Sequence, residues 1–153
     1  MSFAKVALDS RAVRAKNSRM EIVTQLSLFL ANKPGTLAKV CEELAKQKIN
    51  ILALTISDSI DHAIVRMVVN ETRKALTIFE ERGVLVVDSK VLMIENSNKP
   101  GSLAKIASRL AKAKINIEYA NLATSPGAKT GLLIVRASDT KKALKVLSDK
   151  RKN

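Results

Sequence analysis

Two stretches of this chain are copies of one another. Residues 32–51 read NKPGTLAKVCEELAKQKINI and residues 98–117 read NKPGSLAKIASRLAKAKINI, identical at fourteen of twenty positions at an offset of 66. Agreement that dense marks an internal duplication, so the fold must be built from two similar units. The copy continues downstream, where RKAL at 73–76 answers KKAL at 141–144, now at an offset of 68. The two extra residues fall where SPGAKTG (125–131) stands against SIDHA (59–63), a place where a surface turn tolerates insertion.

Each copy has the same order of elements. Leu26, Leu28 and Leu30 alternate within residues 24–30, the period of a half-buried strand. Asn32, Pro34 and Gly35 break that strand and open a helix, proline being suited to a first turn. In the helix Leu37, Val40, Cys41 and Leu44 form one apolar stripe, with Lys39, Glu42, Glu43 and Lys46 on the other side. Strands over 50–57 and 63–69, a helix over 71–82 stopped by Gly83, and a strand over 84–87 complete the first copy. The second predicts a strand at 91–96, a helix over 100–113, strands near 115–123 and 131–137, and a helix over 139–149.

The order β-α-β-β-α-β is the split βαβ, or ferredoxin-like, unit. The fold class expected is α+β, two tandem βαββαβ units with an antiparallel sheet and the helices on one face. The expected divisions are a basic N-terminal extension (1–20), a first unit (21–89) and a second unit (90–153) with a basic tail. A linker as short as Asp88–Lys90 makes the two units neighbours. The second unit is predicted to lack its last strand, because only SDKRKN follows Leu147. That strand normally lies beside the first, so its absence leaves an open edge. A partner subunit or a strand from residues 3–8 (FAKVAL) are the two candidate covers.

Composition narrows the chemistry. No apolar run approaches the roughly 18 residues of a membrane helix. Cys41 is the only cysteine and His62 the only histidine, which removes intramolecular disulfides and His/Cys zinc clusters and suits a cytoplasmic location. With no nucleophile–base pair or phosphate loop present, the chain is expected to have no catalytic residues, metal site or cofactor. The net charge of +13 is concentrated at the two ends, which supply eight of the thirteen charges. Basic ends attract nucleic acid or serve as solubilising tails. RNA-recognition sheets stack bases on aromatics of their central strands. Here the third strands, AIVRMVV and GLLIVRA, contain none, and the strand aromatics Phe29 and Tyr119 stand at non-equivalent places, which argues against a nucleic-acid partner. Residues 1–19 have three readings: sequence preceding a start at Met20, a basic leader, or an Arg-rich organelle transit peptide.

The segment NKPG(T/S)LAK…KINI resembles the ACT domain, the amino-acid-binding regulatory module of enzymes such as aspartokinase and phosphoglycerate dehydrogenase. The resemblance is carried by Asn32, Pro34, Gly35, Leu37 and Ile49–Ile51, and again by Asn98, Pro100, Gly101, Leu103 and Ile115–Ile117. From about residue 22 to 149 the chain is similar to the stand-alone tandem ACT proteins of prokaryotes, which carry no catalytic domain. The resemblance implies a homodimeric regulatory sensor whose ligand, a free amino acid, lies at an ACT–ACT interface. The first-strand-to-helix loop of one unit and the second strand of its neighbour would hold it. An alternative is an interaction subunit that docks onto an amino-acid biosynthetic enzyme such as acetolactate synthase.

The candidate ligand-binding residues are Asn32, Lys33, Pro34, Gly35, Thr36 and Leu37 with Asn50 and Ile51, and in the second copy Asn98, Lys99, Pro100, Gly101, Ser102 and Leu103 with Asn116 and Ile117. Glycine lets a ligand approach the backbone closely, and amides at a helix N-terminus favour a carboxylate by about 0.3–1 kcal/mol. Asparagine offers a carbonyl to an ammonium and an amide to a carboxylate. Each residue also has a purely local reading. Asn32 and Asn98 would cap their helices, Asn50 and Asn116 would satisfy backbone groups, and Lys33 and Lys99 would be solvated. The Thr36 and Ser102 hydroxyls would bond within the first turn.

Overall fold

The computed structural model describes residues 13–15 and 18–149. Strands β1 (Val13–Ala15) and β2 (Ser18–Ala31) are followed by α1 (Thr36–Lys46), β3 (Ile51–Asp58), β4 (His62–Val69) and α2 (Thr72–Glu81). Then come β5 (Leu85–Ser97), α3 (Ser102–Lys112), β6 (Ile117–Ala123), β7 (Thr130–Ala137) and α4 (Thr140–Ser148). The strands form one sheet in the order β3-β4-β2-β5-β7-β6, with β1 paired to β2. All described pairings are antiparallel.

Two strands are longer than the sequence pattern predicted, and the same pairing explains both. The expected strands at 84–87 and 91–96 are one continuous strand, β5, which runs straight through the expected linker Asp88–Lys90. It is held by β2 alongside, in register from Phe29↔Leu85 to Met20↔Ile94, so that Leu26 faces Asp88 and Thr24 faces Lys90. Likewise β2 begins six residues before the predicted start at 24. Met20 and Ile22 keep the parity of Leu26, Leu28 and Leu30, so the extension puts its apolar side chains on the same face.

Each long strand serves both units. Residues 24–31 of β2 are the first strand of unit one, beside β4, while residues 20–23 lie against Val91–Ile94 of β5. The latter is the fourth-strand position of unit two, so the edge expected to be open is covered by the chain itself. Among the described residues no strand follows α4. The other candidate cover, residues 3–8, lies outside the described residues. Thr24 and Lys90 are separated by the repeat offset of 66 and face each other, so a local two-fold axis passes through this pair. Lys90 Nζ donates to Thr24 Oγ1 at 2.6 Å.

The helices cover one face of the sheet over two apolar cores. In the first, Leu26, Leu28, Val65 and Met67 meet Val40 and Leu44 of α1 and Ala75 and Phe79 of α2. In the second, Leu92, Ile94, Leu133 and Val135 meet Leu110 of α3 and Ala143 and Leu147 of α4, with Met20 and Ile22 packed at the margin. Each fully buried Leu contributes roughly 1.5–3 kcal/mol of transfer free energy. The repeated Lys-Ile-Asn-Ile motif is a helix ending. Lys48 (φ 58°) and Lys114 (φ 56°) adopt the left-handed conformation. Their N–H groups donate to Ala45 and Ala111 carbonyls, and those of Ile49 and Ile115 to Leu44 and Leu110. This is the Schellman pattern, and it sends each isoleucine back into the core beneath its helix.

The opposite face is curled. Tyr119 on edge strand β6 donates its hydroxyl to the buried Gln25 side chain on β2, three strands away. Three inter-strand spacings amount to roughly 14 Å in a flat sheet, too far for these side chains to bridge, so the sheet must close toward them. The Arg66 guanidinium lies 4.9 Å from the Tyr119 ring centre. Beside this polar group, Val68, Val91 and Ile134 make a small buried apolar cluster.

Candidate functional site

The strand-to-helix loops are built alike in both units. Gly35 (φ 85°) and Gly101 (φ 84°) occupy the N-cap positions of α1 and α3 in the left-handed conformation, which explains the glycine in each copy. Neither helix start is capped by a side chain. Asn32 and Asn98 therefore do not cap. Their amides reach sideways to the neighbouring hairpin, Asn32 Nδ2 donating to the Ser59 carbonyl at 3.1 Å and Asn98 Nδ2 to that of Ala128 at 2.8 Å. Backbone bonds from Asn32 to Asp61 and from Asn98 to Lys129 reinforce the tie. Each loop is thus clamped to a hairpin beside a helix N-terminus that carries a partial positive charge.

Asn32, Lys33, Pro34 and Gly35 are exposed, as are Asn98, Lys99, Pro100 and Gly101. Thr36, Leu37 and Ser102 are half-buried, whereas Leu103 is exposed. Asn50 and Asn116 are exposed and lie at the far ends of α1 and α3, roughly 16 Å along an eleven-residue helix from the loops of their own units. Their backbones are held by the next strand's end: the Asn50 N–H donates to Asn70 Oδ1 and the Asn116 N–H to Ser138 Oγ. Ile51 and Ile117 pack against the two cores. The two loops lie at opposite ends of β2 and β5, roughly 40 Å apart along the thirteen residues of β5. A single chain therefore brings Asn98 together with its own hairpin, but not with Asn50 or Asn116.

A hollow of about 160 Å³ opens at the second loop, lined by Asn96, Asn98, Gly101, Leu103, Leu122, Thr124 and their neighbours. Asn96 is absent from the sequence-based candidates. It is 8% exposed, yet it stands at the position that Leu30 fills in the first copy. An asparagine replacing a leucine in an otherwise apolar alternation was the available signal. A larger hollow, about 560 Å³, lies on the curled face beneath the β6–β7 hairpin and is lined by Arg19, Glu21, Met93, Glu95 and Thr124 among others. It contains none of the predicted residues. Its one cationic side chain, Arg19, stands 3.8 Å from Glu21 and is mostly exposed, so it has a partner already.

Among the described residues no group of three or more His, Cys, Asp or Glu side chains is placed to hold a metal ion. No described helix is long and apolar enough to cross a membrane. Glu43 on α1 is held below the usual carboxylate range, first by its hydrogen bond with Lys46 and also by Arg82, with burial opposing. This pair lies on the helix layer, away from the loops.

The comparisons with known proteins fit this geometry. Among solved structures, the chain is similar to a protein of Bacteroides thetaiotaomicron at 34% identity, over 85% of this chain and 89% of that one, with a TM-score of 0.79. It shares its fold with the regulatory subunit of aspartate kinase from Thermus thermophilus, in ligand-free form, at 22% identity over 82% of this chain and 90% of that one, with a TM-score of 0.60. The corresponding subunit from Thermus flavus gives 20% identity, 85% and 94% coverage and a TM-score of 0.58. No curated protein matches the chain. The sequence profile of the ACT domain pair matches residues 20–153. With its duplicated ferredoxin-like units, paired sheet and repeated glycine loops, the chain belongs to the ACT domain pair family.

Proposed function

We propose that this chain is a non-catalytic regulatory sensor that binds a free amino acid at its strand-to-helix loops. The observation that carries the reading is the repeated loop itself. Each presents an uncapped helix N-terminus, opened by a left-handed glycine and clamped by asparagine to a hairpin. The Thr36 and Ser102 amides already donate to the Lys33 and Lys99 carbonyls, and the amides that follow them in each first turn suit an α-carboxylate. The candidate residues remain Asn32–Leu37 and Asn98–Leu103, with Asn50, Ile51, Asn116 and Ile117 contributed across an interface between units. Because one chain keeps Asn50 and Asn116 away from the loops, that interface is with a second copy, in a cytoplasmic homodimer. Edge strand β3, with Leu52 and Ile56 exposed, offers a surface for such pairing.

The test is a thermal-shift screen of the purified chain against the twenty amino acids at millimolar concentration. One amino acid raising the midpoint is expected, and the rise should disappear in Asn98→Ala. At 100 times the dissociation constant the stabilisation is about 2.7 kcal/mol. A flat screen would sink the sensor reading. A second reading, a subunit that docks onto an amino-acid biosynthetic enzyme, is favoured by the exposed apolar row Phe29, Leu85 and Val87 on the curled face. A melting point raised by such an enzyme and by no amino acid would select it.

A further inference from the structure

Although the two loops have nearly the same sequence, the space behind them differs. In unit one, Leu30 and Ala63 face each other across β2 and β4, each 7% exposed, and Leu30 belongs to the first core. In unit two the same pair is Asn96 opposite Gly131. Both replacements remove apolar volume from one place, and one of them adds an amide. The helix above responds in the same sense. Leu37 packs on the first core, whereas its counterpart Leu103 is 40% exposed, at the wall of the hollow.

Asn96 is more than nine-tenths buried, and its side chain makes no hydrogen bond within the described residues. An amide sealed in protein without a partner would cost roughly 1–3 kcal/mol. Among the described residues no fully enclosed side-chain N or O atom lacks a partner, so the Asn96 amide opens onto the hollow it lines. Gly131 keeps the opposite wall close, since a Cβ there would meet the Ala123 carbonyl oxygen at 2.8 Å and Thr124 Cβ at 2.9 Å. The result is a polar recess beside an uncapped helix N-terminus, with Leu103 and Leu122 at its rim.

We infer that the ligand site belongs to the second unit alone, with Asn96 the residue that makes its loop competent and Leu30 the residue that closes the first. The inference rests on the amino-acid-sensor reading and narrows it from two loops to the second. In this site the α-carboxylate meets the first-turn amides of α3, the α-ammonium donates to Asn96 Oδ1, and the ligand side chain lies between Leu103 and Leu122. A recess of about 160 Å³ with leucines at its rim favours a short amino acid with an apolar or small side chain.

The experiment is calorimetric titration of the full chain with L-alanine, L-serine, L-valine, L-phenylalanine and L-arginine, alongside amide NMR spectra of the labelled protein. The expected result is one bound molecule per chain for at least one of the short amino acids and none for the bulky two. The amides of Gly101, Leu103 and Ala104 should shift while those of Gly35, Leu37 and Ala38 stay. Asn96→Leu, which copies the first unit, should weaken binding on the order of 10- to 100-fold, the effect of losing a hydrogen bond to a charged group. The NMR comparison needs no variant, so it stands even if Asn96→Leu alters folding. Two equivalent sites per chain, shifts at both loops, preference for a bulky ligand, or unchanged affinity in a folded Asn96→Leu would each overturn the inference while leaving the sensor reading intact. Absence of binding by all five would overturn the inference, and a thermal-shift screen flat across all twenty amino acids would remove the sensor reading with it.

Discussion

The two units are nearly the same in the cores beneath their helices and differ on the opposite face of the sheet and at their helix starts. Leu44 and Leu110 are equivalent, and each is at most 1% exposed under its helix. On the curled face the equivalence fails. Gln25, Arg66 and Tyr119 form a polar group, and their counterparts Val91, Ile134 and Ala53 form the apolar cluster on the other side of the two-fold axis. The helix starts differ as well. Asp139 caps α4 by accepting from the Lys142 N–H at 2.9 Å, while Glu71 at the same place in unit one makes no cap. Duplicated chains keep what the sheet and helices require of each other, because every core side chain touches many others.

Removing the shared part should have the largest effect. Leu44→Ala and Leu110→Ala should each cost about 2–5 kcal/mol. Both should lower a single unfolding transition, because β2 and β5 belong to both cores. Urea melts followed by helicity and by Tyr119 fluorescence test this, and two separable transitions would show that the long strands do not couple the units. Next in size is the polar group. Tyr119→Phe should destabilise by about 1–3 kcal/mol, since it leaves the buried Gln25 carbonyl without its donor. Adding Gln25→Val, as at position 91, should recover part of that loss in a double-mutant cycle. Strict additivity would mean that the two side chains act independently.

Capping comes third. Asp139→Ala should cost about 1 kcal/mol, whereas Glu71→Ala should leave the melting point where it is. Equal losses would contradict the different cap geometries. The smallest effect is linked to pH. Glu43 has a lowered folded-state pKa, so its pairing with Lys46 and Arg82 stabilises the fold above the ordinary carboxylate pKa. That contribution is lost as pH falls through the lowered value. The counterpart of Glu43 is Arg109, which donates to carbonyls at the end of α4 and forms no such carboxylate pair. Melting curves between pH 6 and 3 should therefore converge for wild type and Glu43→Gln at the acid end, and parallel curves throughout would remove the linkage.

Much of the fold was legible because it is written locally. The period-two leucines of β2, the apolar stripe of α1 and the Pro-Gly helix starts each depend on residues a few positions apart. Strand ends were less legible. Residues 18–23 carry the right parity but also Arg19 and Glu21, and only their pairing, with β5 from Met20 onward and with β1 at Ser18 and Arg19, makes them strand. The loops were predicted as sites with asparagine as either cap or ligand group. The structure shows a third use, a tie to the hairpin, which depends on two segments about 30 residues apart. Asn96 was passed over because its neighbour across the sheet, Gly131, is remote in sequence.

By itself the sequence determined that this protein is two ferredoxin-like units, since duplication, periodicity and turn residues are properties of short segments. The tertiary structure decided how those units share their strands, which edge is covered and that an open recess lies behind the second loop. Those outcomes depend on volumes and hydrogen bonds contributed by residues distant in the chain, and no local pattern encodes them.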